Sequence, residues 1–205
     1  MQRRYVLVQL PEPLDPETSE QKLAAHYCDQ IAKPRNIAEL TKERLRRAAL
    51  RVQNENPLFA GDLGFRVFKL DSSNIRTWDP HPDDLAATLE EAANHVKPDR
   101  TNDDVLYEIL LKLGIDLCVP IETRDIAGKT VQSVGGGALI ACLTDTITTD
   151  DAEPLAAGIA EWHKELAPAG DTTCIFRDNA FQNDVAKTNL AAILEQHGIN
   201  TTRSI

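Results

Sequence analysis

Three polar residues follow the apolar run Thr173–Phe176 in a pattern that suits ligand binding. Asp178, Asn179 and Asn183 offer carboxylate and amide groups shortly after that run. Open α/β sheets tend to bind small molecules at the carboxyl ends of their parallel strands, so these side chains are candidates for a small-ligand site. The alternative is structural: Asn183 or Asp184 caps the next helix, and Asp178 fixes the turn before it.

A second candidate for chemistry is the run of three consecutive glycines, Gly135, Gly136 and Gly137. A phosphate loop places such glycines between a strand and a helix, usually with a lysine after them, so that backbone N–H groups face the anion. Here runs that predict strands lie on both sides, Lys129–Val134 and Ala138–Leu143, and no lysine follows the glycines. The spacing therefore predicts a tight turn between two strands rather than a phosphate site.

The spacing gives little support to metal or nucleophile chemistry. His26 and Cys28 are close together, but no second pair with metal-ligand spacing accompanies them, so we expect no metal site. The Ser, Cys and Lys side chains have no neighbouring base that spacing recommends, so we name no catalytic residue. Among the four cysteines, Cys142 and Cys174 lie in predicted buried strands, which indicates free thiols in a reducing compartment.

The overall charge argues against nonspecific binding to polyanions. The formal net charge is -10 and the pI is about 4.9, so we expect no nonspecific attraction to DNA or an anionic membrane from the chain as a whole. A local basic surface remains an alternative. No apolar stretch reaches the roughly 20 residues of a membrane span, and the N-terminus lacks the apolar region of a signal peptide. We therefore expect a cytoplasmic protein that does not contact a membrane.

The elements that must position these residues alternate in the last third of the chain. Two apolar runs and a final short strand are separated by two helix-like segments; in order these are Ala138–Leu143, Asp151–Leu166, Thr173–Phe176, Asp184–His197 and Thr201–Ile205. This β-α-β-α-β order predicts an α/β fold with a parallel or mixed sheet, because a helix is the usual connection between parallel strands. Runs that are apolar throughout are typical of strands covered on both faces.

Upstream, the sequence predicts three helices and, besides Lys129–Val134, three strands. The helices are Ile37–Val52, Leu85–Val96, and a segment that begins at Thr101 with a capping box to Asp104 and ends at Gly114. The strands are Tyr5–Leu10, Phe65–Leu70 and Leu117–Ile121. Helix Ile37–Val52 carries five cations, which form either a solvated face or a phosphate-contacting surface: Lys42, Arg44, Arg46, Arg47 and Arg51.

Five strings distributed along the chain resemble one protein family. They are RRYVLVQLPEP at Arg3–Pro13, TKERLRRA at Thr41–Ala48, GFRVFKLDSSN at Gly64–Asn74, DDVLYEILLKLG at Asp103–Gly114, and FRDNAF with a downstream KTN within Phe176–Asn189. In this order they resemble the C-terminal part of the modification (Mod) subunit of bacterial type III restriction-modification systems. Those subunits are DNA adenine-N6 methyltransferases that use S-adenosylmethionine and work with a helicase-nuclease (Res) subunit.

The resemblance implies a cofactor contact near the start of the chain. In related methyltransferases, the strand similar to Tyr5–Leu10 ends in an acidic residue that binds the ribose of the cofactor. Gln9 stands at that position here and Glu12 lies nearby, so these two residues are the candidates for a ribose contact. In the family, the DPPY catalytic motif and the FxGxG cofactor loop both precede this strand. We therefore expect no S-adenosylmethionine binding by this chain alone.

Two strings look like those motifs and are interpreted as accidental. Phe59–Gly64 (FAGDLG) has leucine at the second glycine position of FxGxG and no strand before it. Asp79–Pro82 (DPHP) lacks the aromatic residue that would stack on a flipped base in the fourth position of DPPY.

The resulting hypothesis is a catalytically silent C-terminal portion of a type III Mod methyltransferase. Residues 1–56 are expected to be the remnant of the methyltransferase domain, residues 57–114 a connector, and residues 115–205 a C-terminal α/β domain. The expected partners are another Mod copy, as in a homodimer, or the Res subunit, while DNA is contacted only through the missing N-terminal part. The alternatives are an assembly module that makes no cofactor contact, and a free-standing α/β protein that binds a small ligand near Asp178 and Asn179.

Overall fold

A computed structural model describes residues 5–76 and 96–205. The string Asp79–Pro82 and the predicted helix Leu85–Val96, except for Val96 itself, lie outside the described residues. The chain divides into two compact units, Met1–Phe68 and Lys69–Ile205.

The second unit is built on a five-stranded mixed sheet in which the strands follow chain order. Strands β1, β2 and β3 are antiparallel neighbours, whereas β3, β4 and β5 are parallel neighbours. The strands are β1 (Ile121–Ile126), β2 (Lys129–Val134), β3 (Leu139–Cys142), β4 (Thr173–Phe176) and β5 (Thr201–Ser204). The predicted α/β class is confirmed, and the three parallel strands carry the predicted β-α-β-α-β order.

Helices cover both faces of this sheet. Among the described residues, the α-helices of the first unit are α1 (Lys22–Gln30) and α2 (Ile37–Glu55). Those of the second unit are α3 (Asn102–Leu113), α4 (Thr149–Leu166) and α5 (Asp184–Gln196). Alternate residues of β3 and β4 point to opposite sides, because the side-chain period of a strand is two. Ile140 and Cys174 pack with α4 and α5, whereas Ala141 and Ile175 pack with α3. Burial on both faces explains why these strands are apolar throughout.

The three glycines form the turn that the spacing predicts. Strand β2 enters the turn and β3 leaves it as its antiparallel neighbour. Gly135, Gly136 and Gly137 all have positive φ, at 64°, 67° and 95°, and this backbone conformation is strained for residues with a Cβ atom. The hairpin prediction is therefore confirmed.

The predicted strand Leu117–Ile121 is wrong, because the strand begins only at Ile121 and runs to Ile126. Asp116 organises the preceding residues into a turn: its Oδ1 accepts a hydrogen bond from Cys118 N at 2.8 Å, and its carbonyl accepts one from Val119 N at 3.2 Å. Pro120 then follows without an N–H for a ladder. The polar sequence of β1 fits an exposed edge strand.

Helix α4 begins with a reciprocal capping box. Thr148 Oγ1 accepts a hydrogen bond from Asp151 N at 3.2 Å, and Asp151 Oδ2 accepts one from Thr148 N at 2.9 Å. The same arrangement of Thr101 and Asp104 begins α3, as the sequence predicts, and Gly114 ends that helix with a left-handed backbone. These side chains bond backbone N–H groups that have no partner within the helix.

Replacing Thr148 with alanine is expected to lower the free energy of unfolding by about 1 kcal/mol, because the substitution removes the hydroxyl that caps the helix. Thr148→Ser retains that hydroxyl and is the matched control, with an expected change near zero. Urea titration followed by circular dichroism measures both variants. Equal losses in the alanine and serine variants would show that the methyl group, and not the cap, stabilises this position.

The first unit has a small core made by α1 and α2. Leu14, Ala25 and Cys28 are buried there, with Ile37 and Leu40 packed against them. The backbone of Leu14 is held by Arg35, whose carbonyl accepts a hydrogen bond from Leu14 N at 2.9 Å. The predicted helix from Ile37 is confirmed and extends to Glu55.

Two predicted strands, Tyr5–Leu10 and Phe65–Leu70, are wrong for the chain on its own. Both segments lie outside the strands of the structure. Their composition favours strands, but a strand also requires a neighbour to pair with its N–H and C=O groups. Within the part of the chain that the structure describes, no strand lies beside either segment.

Candidate functional site

Segment Tyr5–Leu10 presents a row of large apolar side chains to solvent. Val6 is 89% exposed and Val8 is 92% exposed, and Tyr5, Leu7 and Leu10 are also exposed. A contiguous apolar surface of this kind marks an interaction site or an aggregation hazard. The segment is therefore the strongest candidate for a functional surface in the first unit.

The two predicted cofactor contacts, Gln9 and Glu12, lie at the end of this segment and just after it. Gln9 is exposed, and its Nε2 donates a hydrogen bond to the carbonyl of the adjacent Leu10 at 3.1 Å. Glu12 is also exposed, and its carbonyl accepts a hydrogen bond from Ile37 N at 3.2 Å, which ties the segment to the start of α2. Neither residue lines the cavity beside α2 or the cavity between α4 and α5.

Helix α2 is 19 residues long and buries none of them. Most helices of this length gain their stability from a packed apolar face, so a helix without a buried residue is poorly covered. Its predicted apolar stripe is only partly shielded: Leu45 and Val52 are half-buried, and Ala48 is exposed. The first unit therefore presents a second surface, beside Tyr5–Leu10, that a partner could cover.

Carboxylates on α2 already engage most of its cations. Glu43 Oε1 accepts a hydrogen bond from Arg47 Nε at 2.8 Å, and Glu55 Oε1 accepts one from Arg51 Nε at 2.7 Å. Lys42 is paired in the same way with Glu39. Such exposed pairs contribute little to stability, but they lower the net positive charge of the helix surface. The geometry favours a solvated face over a phosphate-contacting surface.

A cavity of about 540 Å³ lies between α2 and the segment Leu63–Val67. Its lining is mainly apolar and consists of Arg46, Ala49, Leu50, Leu63, Gly64, Phe65 and Val67. The guanidinium of Arg46 stands 6.0 Å from the centre of the Phe65 ring. The neighbouring string Phe59–Gly64 follows a helix and leads into residues that form neither helix nor strand, so it does not form the strand–loop–helix arrangement of a cofactor loop.

At the carboxyl ends of β4 and β5, the candidate ligand residues are engaged in structural contacts. Asn183 Oδ1 caps α5 by accepting a hydrogen bond from Ala186 N at 2.9 Å. Asp178 Oδ1 accepts one from Lys187 Nζ at 2.5 Å, and Lys187 also donates to Ser204 Oγ at 3.1 Å. Arg177 is paired with Asp145. The helix-capping interpretation of Asn183 is confirmed, and Asp178 fixes the turn by bonding α5.

A second cavity, of about 400 Å³, lies between α4 and α5. It is lined by Thr149, Ala152, Glu153, Asn189, Ala192, Ile193 and Gln196. No motif in the sequence indicates this groove, because it forms where two helices from separate parts of the chain pack side by side against the sheet.

Glu108 is the centre of a polar cluster on α3 that sequence reasoning missed. Its Oε1 accepts hydrogen bonds from Ser73 Oγ at 2.6 Å and Lys112 Nζ at 2.8 Å, and its Oε2 accepts one from Asn74 N at 2.7 Å. Partial burial favours the neutral acid and acts to raise the pKa. The bonds from Lys112, Ser73 and Asn74 outweigh it and lower the pKa of Glu108 from 4.5 to about 2.

This shift predicts how stability depends on pH. A carboxyl group with a depressed pKa in the folded state stabilises the fold above its unfolded pKa, and that contribution is lost as pH falls through the folded pKa. We expect wild type to lose the Glu108 contribution between about pH 4.5 and about pH 2. Glu108→Gln should lose less stability over the same interval, as measured by urea unfolding at several pH values. Parallel pH profiles for the two proteins would contradict this expectation.

Residues 5–76 and 96–205 contain neither a metal-binding cluster nor a membrane-spanning helix. No three or more His, Cys, Asp or Glu side chains in these ranges cluster so as to hold a metal ion. None of the helices there combines the length and hydropathy that a membrane crossing requires. The four cysteines are free thiols; Cys28, Cys142 and Cys174 are buried and Cys118 is exposed. Burial raises the pKa of Cys174 to about 12, so this thiol stays protonated at neutral pH.

The chain was also compared with protein-family models, with curated proteins and with solved structures, and none of the three comparisons gives a match.

Proposed function

We propose that this chain is the C-terminal part of the modification subunit of a type III restriction-modification system, and that it acts there as an assembly element. The proposal rests on the five strings that resemble that family in the same order. The structural observation that supports it best is the exposed apolar row at Tyr5–Leu10. A strand-forming sequence that is exposed and unpaired in the isolated chain suits a strand that belongs to a larger sheet.

In this proposal the chain provides a surface for assembly and provides no catalytic residue for methyl transfer. Methyl transfer to adenine N6 requires a flipped base held beside a bound methyl donor. In the family, the motifs for both tasks precede the strand that resembles Tyr5–Leu10. Gln9 and Glu12 can reach the cofactor ribose only when the rest of that sheet is present. A role in DNA modification also places the protein in the cytoplasm.

A second candidate is a module that only assembles, with another Mod copy or with the Res subunit. It differs from the first candidate because it makes no cofactor contact even in the assembled protein. Helix α2 favours this candidate, because none of its 19 residues is buried. A chain that assembles with itself should sediment as a dimer at micromolar concentration. A chain that completes another polypeptide should sediment as a monomer until that polypeptide is added.

Methyl-transfer assays test the first candidate. The complementary polypeptide is a type III Mod subunit cut immediately before the strand that resembles Tyr5–Leu10, taken from a subunit that contains all five strings. We expect the chain alone to transfer no labelled methyl group from S-adenosylmethionine to an adenine-containing duplex, and the mixture to transfer it. The complementary polypeptide alone is the control.

Cofactor binding provides a second readout. The chain alone is expected to show no thermal shift with S-adenosylmethionine, because Gln9 and Glu12 are open to solvent and line neither cavity. Methyl transfer or a saturable thermal shift with the chain alone would overturn the proposal. A silent mixture would remove the first candidate and leave the assembly module to be judged by sedimentation.

A further inference from the structure

Strand β1 forms one edge of the sheet in the second unit. Strand β2 pairs with one side of it, and within the part of the chain that the structure describes no strand pairs with its other side. The four central residues of β1, 122–125, are all exposed. An exposed edge carries N–H and C=O groups without a ladder partner, and these groups can pair with a strand of another chain.

The pairing with β2 determines which residues of β1 direct their backbone groups to the free side. Antiparallel strands alternate between residue pairs that exchange hydrogen bonds and pairs that do not. Gly135 N donates a hydrogen bond to the Pro120 carbonyl at 2.9 Å, so Pro120 belongs to the set that faces β2. The N–H and C=O groups of Ile121, Thr123 and Asp125 therefore point away from β2, towards the free side.

The charges on β1 favour one register for pairing with a second copy of the same strand. In an antiparallel pair with its two-fold axis at Thr123, Glu122 of each copy lies opposite Arg124 of the other. Moving the axis by one residue places Glu122 opposite Glu122 or Arg124 opposite Arg124, and like charges directly opposite are unfavourable. Along β1, only the axis at Thr123 places opposite charges directly across the pair.

Arg124 is already held in place at this edge. Its Nη1 donates a hydrogen bond to Glu165 Oε2 at 2.6 Å, and its guanidinium carbon lies 4.7 Å from the centre of the Trp162 ring. A guanidinium has five N–H donors in a planar fork, so it can bond a second carboxylate. The Arg124 side chain is 44% exposed, which leaves room for that contact. Glu122 lies on the same face of the strand, two residues away.

We propose that β1 is a self-association surface, at which two copies of this chain pair their β1 strands antiparallel about Thr123 and join their two sheets into one. The inference goes beyond the proposed function, because it concerns the second unit alone and holds whatever family the chain belongs to. Six residues per strand form a small interface, typical of weak and transient contacts, so we expect a Kd of about 0.1 mM. This contact therefore leaves the chain monomeric at the micromolar concentrations that separate the two candidate functions.

Sedimentation equilibrium of the whole chain between about 10 μM and about 1 mM tests the proposal, and wild type should shift from monomer to dimer over this range. Thr123→Pro removes the N–H at the centre of the pair. Proline is tolerated there in the monomer, because that N–H faces away from β2. We expect this variant to fold, as judged by circular dichroism, and to stay monomeric. Thr123→Val keeps the N–H and is the matched control, with wild-type dimerisation.

Charge reversal tests the register. In Glu122→Arg, and likewise in Arg124→Glu, the charges that face each other across the pair have the same sign. Each variant alone should therefore dimerise about tenfold or more weakly than wild type. A mixture of the two variants again places opposite charges across the pair, so mixed dimers should form about as strongly as wild-type dimers. Labelling one variant with a fluorophore makes the mixed dimers visible in sedimentation.

Three results would overturn the proposal. They are a wild-type monomer at about 1 mM, a dimer that persists in folded Thr123→Pro, and a mixture of the folded charge-reversal variants that associates no better than either alone. None of these measurements uses methyl transfer or the complementary polypeptide, so a failure here is distinct from a failure of the proposed function.

Discussion

Replacing Trp162 with alanine is expected to lower the free energy of unfolding by about 3–5 kcal/mol, the usual cost of truncating a buried aromatic side chain. Trp162 lies on α4, is 1% exposed, and belongs to the core between the sheet and helices α4 and α5. The substitution removes the largest side chain of this core and leaves a cavity that rigid strands cannot close. Urea unfolding followed by circular dichroism measures the loss.

Trp162→Phe separates packing from polar effects at the same site. The indole Nε1 is buried without a hydrogen-bond partner, and an unpaired buried donor is itself destabilising. Phenylalanine removes that donor and retains most of the ring packing, so the loss should be well below that of alanine. Leu111→Ala on α3 is the control for an apolar truncation, because Leu111 is 64% exposed. Similar losses for Leu111→Ala and Trp162→Ala would contradict the assignment of the core.

Charges placed on Tyr5–Leu10 should abolish complementation in the methyl-transfer assay. In the double variant Val6→Asp and Val8→Asp, both substituted side chains are almost fully exposed in the isolated chain. The variant should therefore fold like wild type. When Tyr5–Leu10 joins a covered sheet, each new carboxylate would be buried without a cation beside it. That burial costs several kcal/mol. Since 1.4 kcal/mol corresponds to a tenfold change in affinity, binding to the complementary polypeptide should weaken by about 100-fold or more.

Val185→Asp is the matched control for this double variant. Val185 is exposed on α5 and does not belong to the proposed surface, so it carries the same chemical change outside Tyr5–Leu10. We expect it to complement as well as wild type does. Wild-type methyl transfer with the double variant would contradict a role for Tyr5–Leu10 in assembly.

The C-terminal fold follows from sequence because its signals are local and agree with one another. The run Ala138–Leu143 is apolar at every position, and the structure buries its residues Leu139–Leu143. Caps at Thr101 and Asn183 mark helix starts through bonds that span only three residues. Each of these features depends on neighbours in the chain, so composition and spacing are sufficient to predict it.

The errors arise where the outcome depends on distant or absent partners. Tyr5–Leu10 has strand-forming composition, but composition cannot supply a neighbouring strand. Asp116 displaced the predicted strand before Ile121 through a turn that competes locally with the ladder. Glu108 lies on the polar side of a helix whose apolar stripe is obvious, and two of its partners, Ser73 and Asn74, are more than 30 residues away. Neither periodicity nor a motif indicates such a contact.

Hydrogen exchange at Tyr5–Leu10 measures most directly whether this segment is a strand that awaits its sheet. The amides of Val6, Leu7, Val8 and Gln9 should exchange rapidly in the isolated chain, where they lie in exposed backbone outside any strand. On addition of the complementary polypeptide, we predict strong protection of alternate or consecutive amides along this segment, together with the appearance of methyl transfer. Methyl transfer that appears while these amides remain unprotected would contradict the proposed strand and place the assembly surface elsewhere.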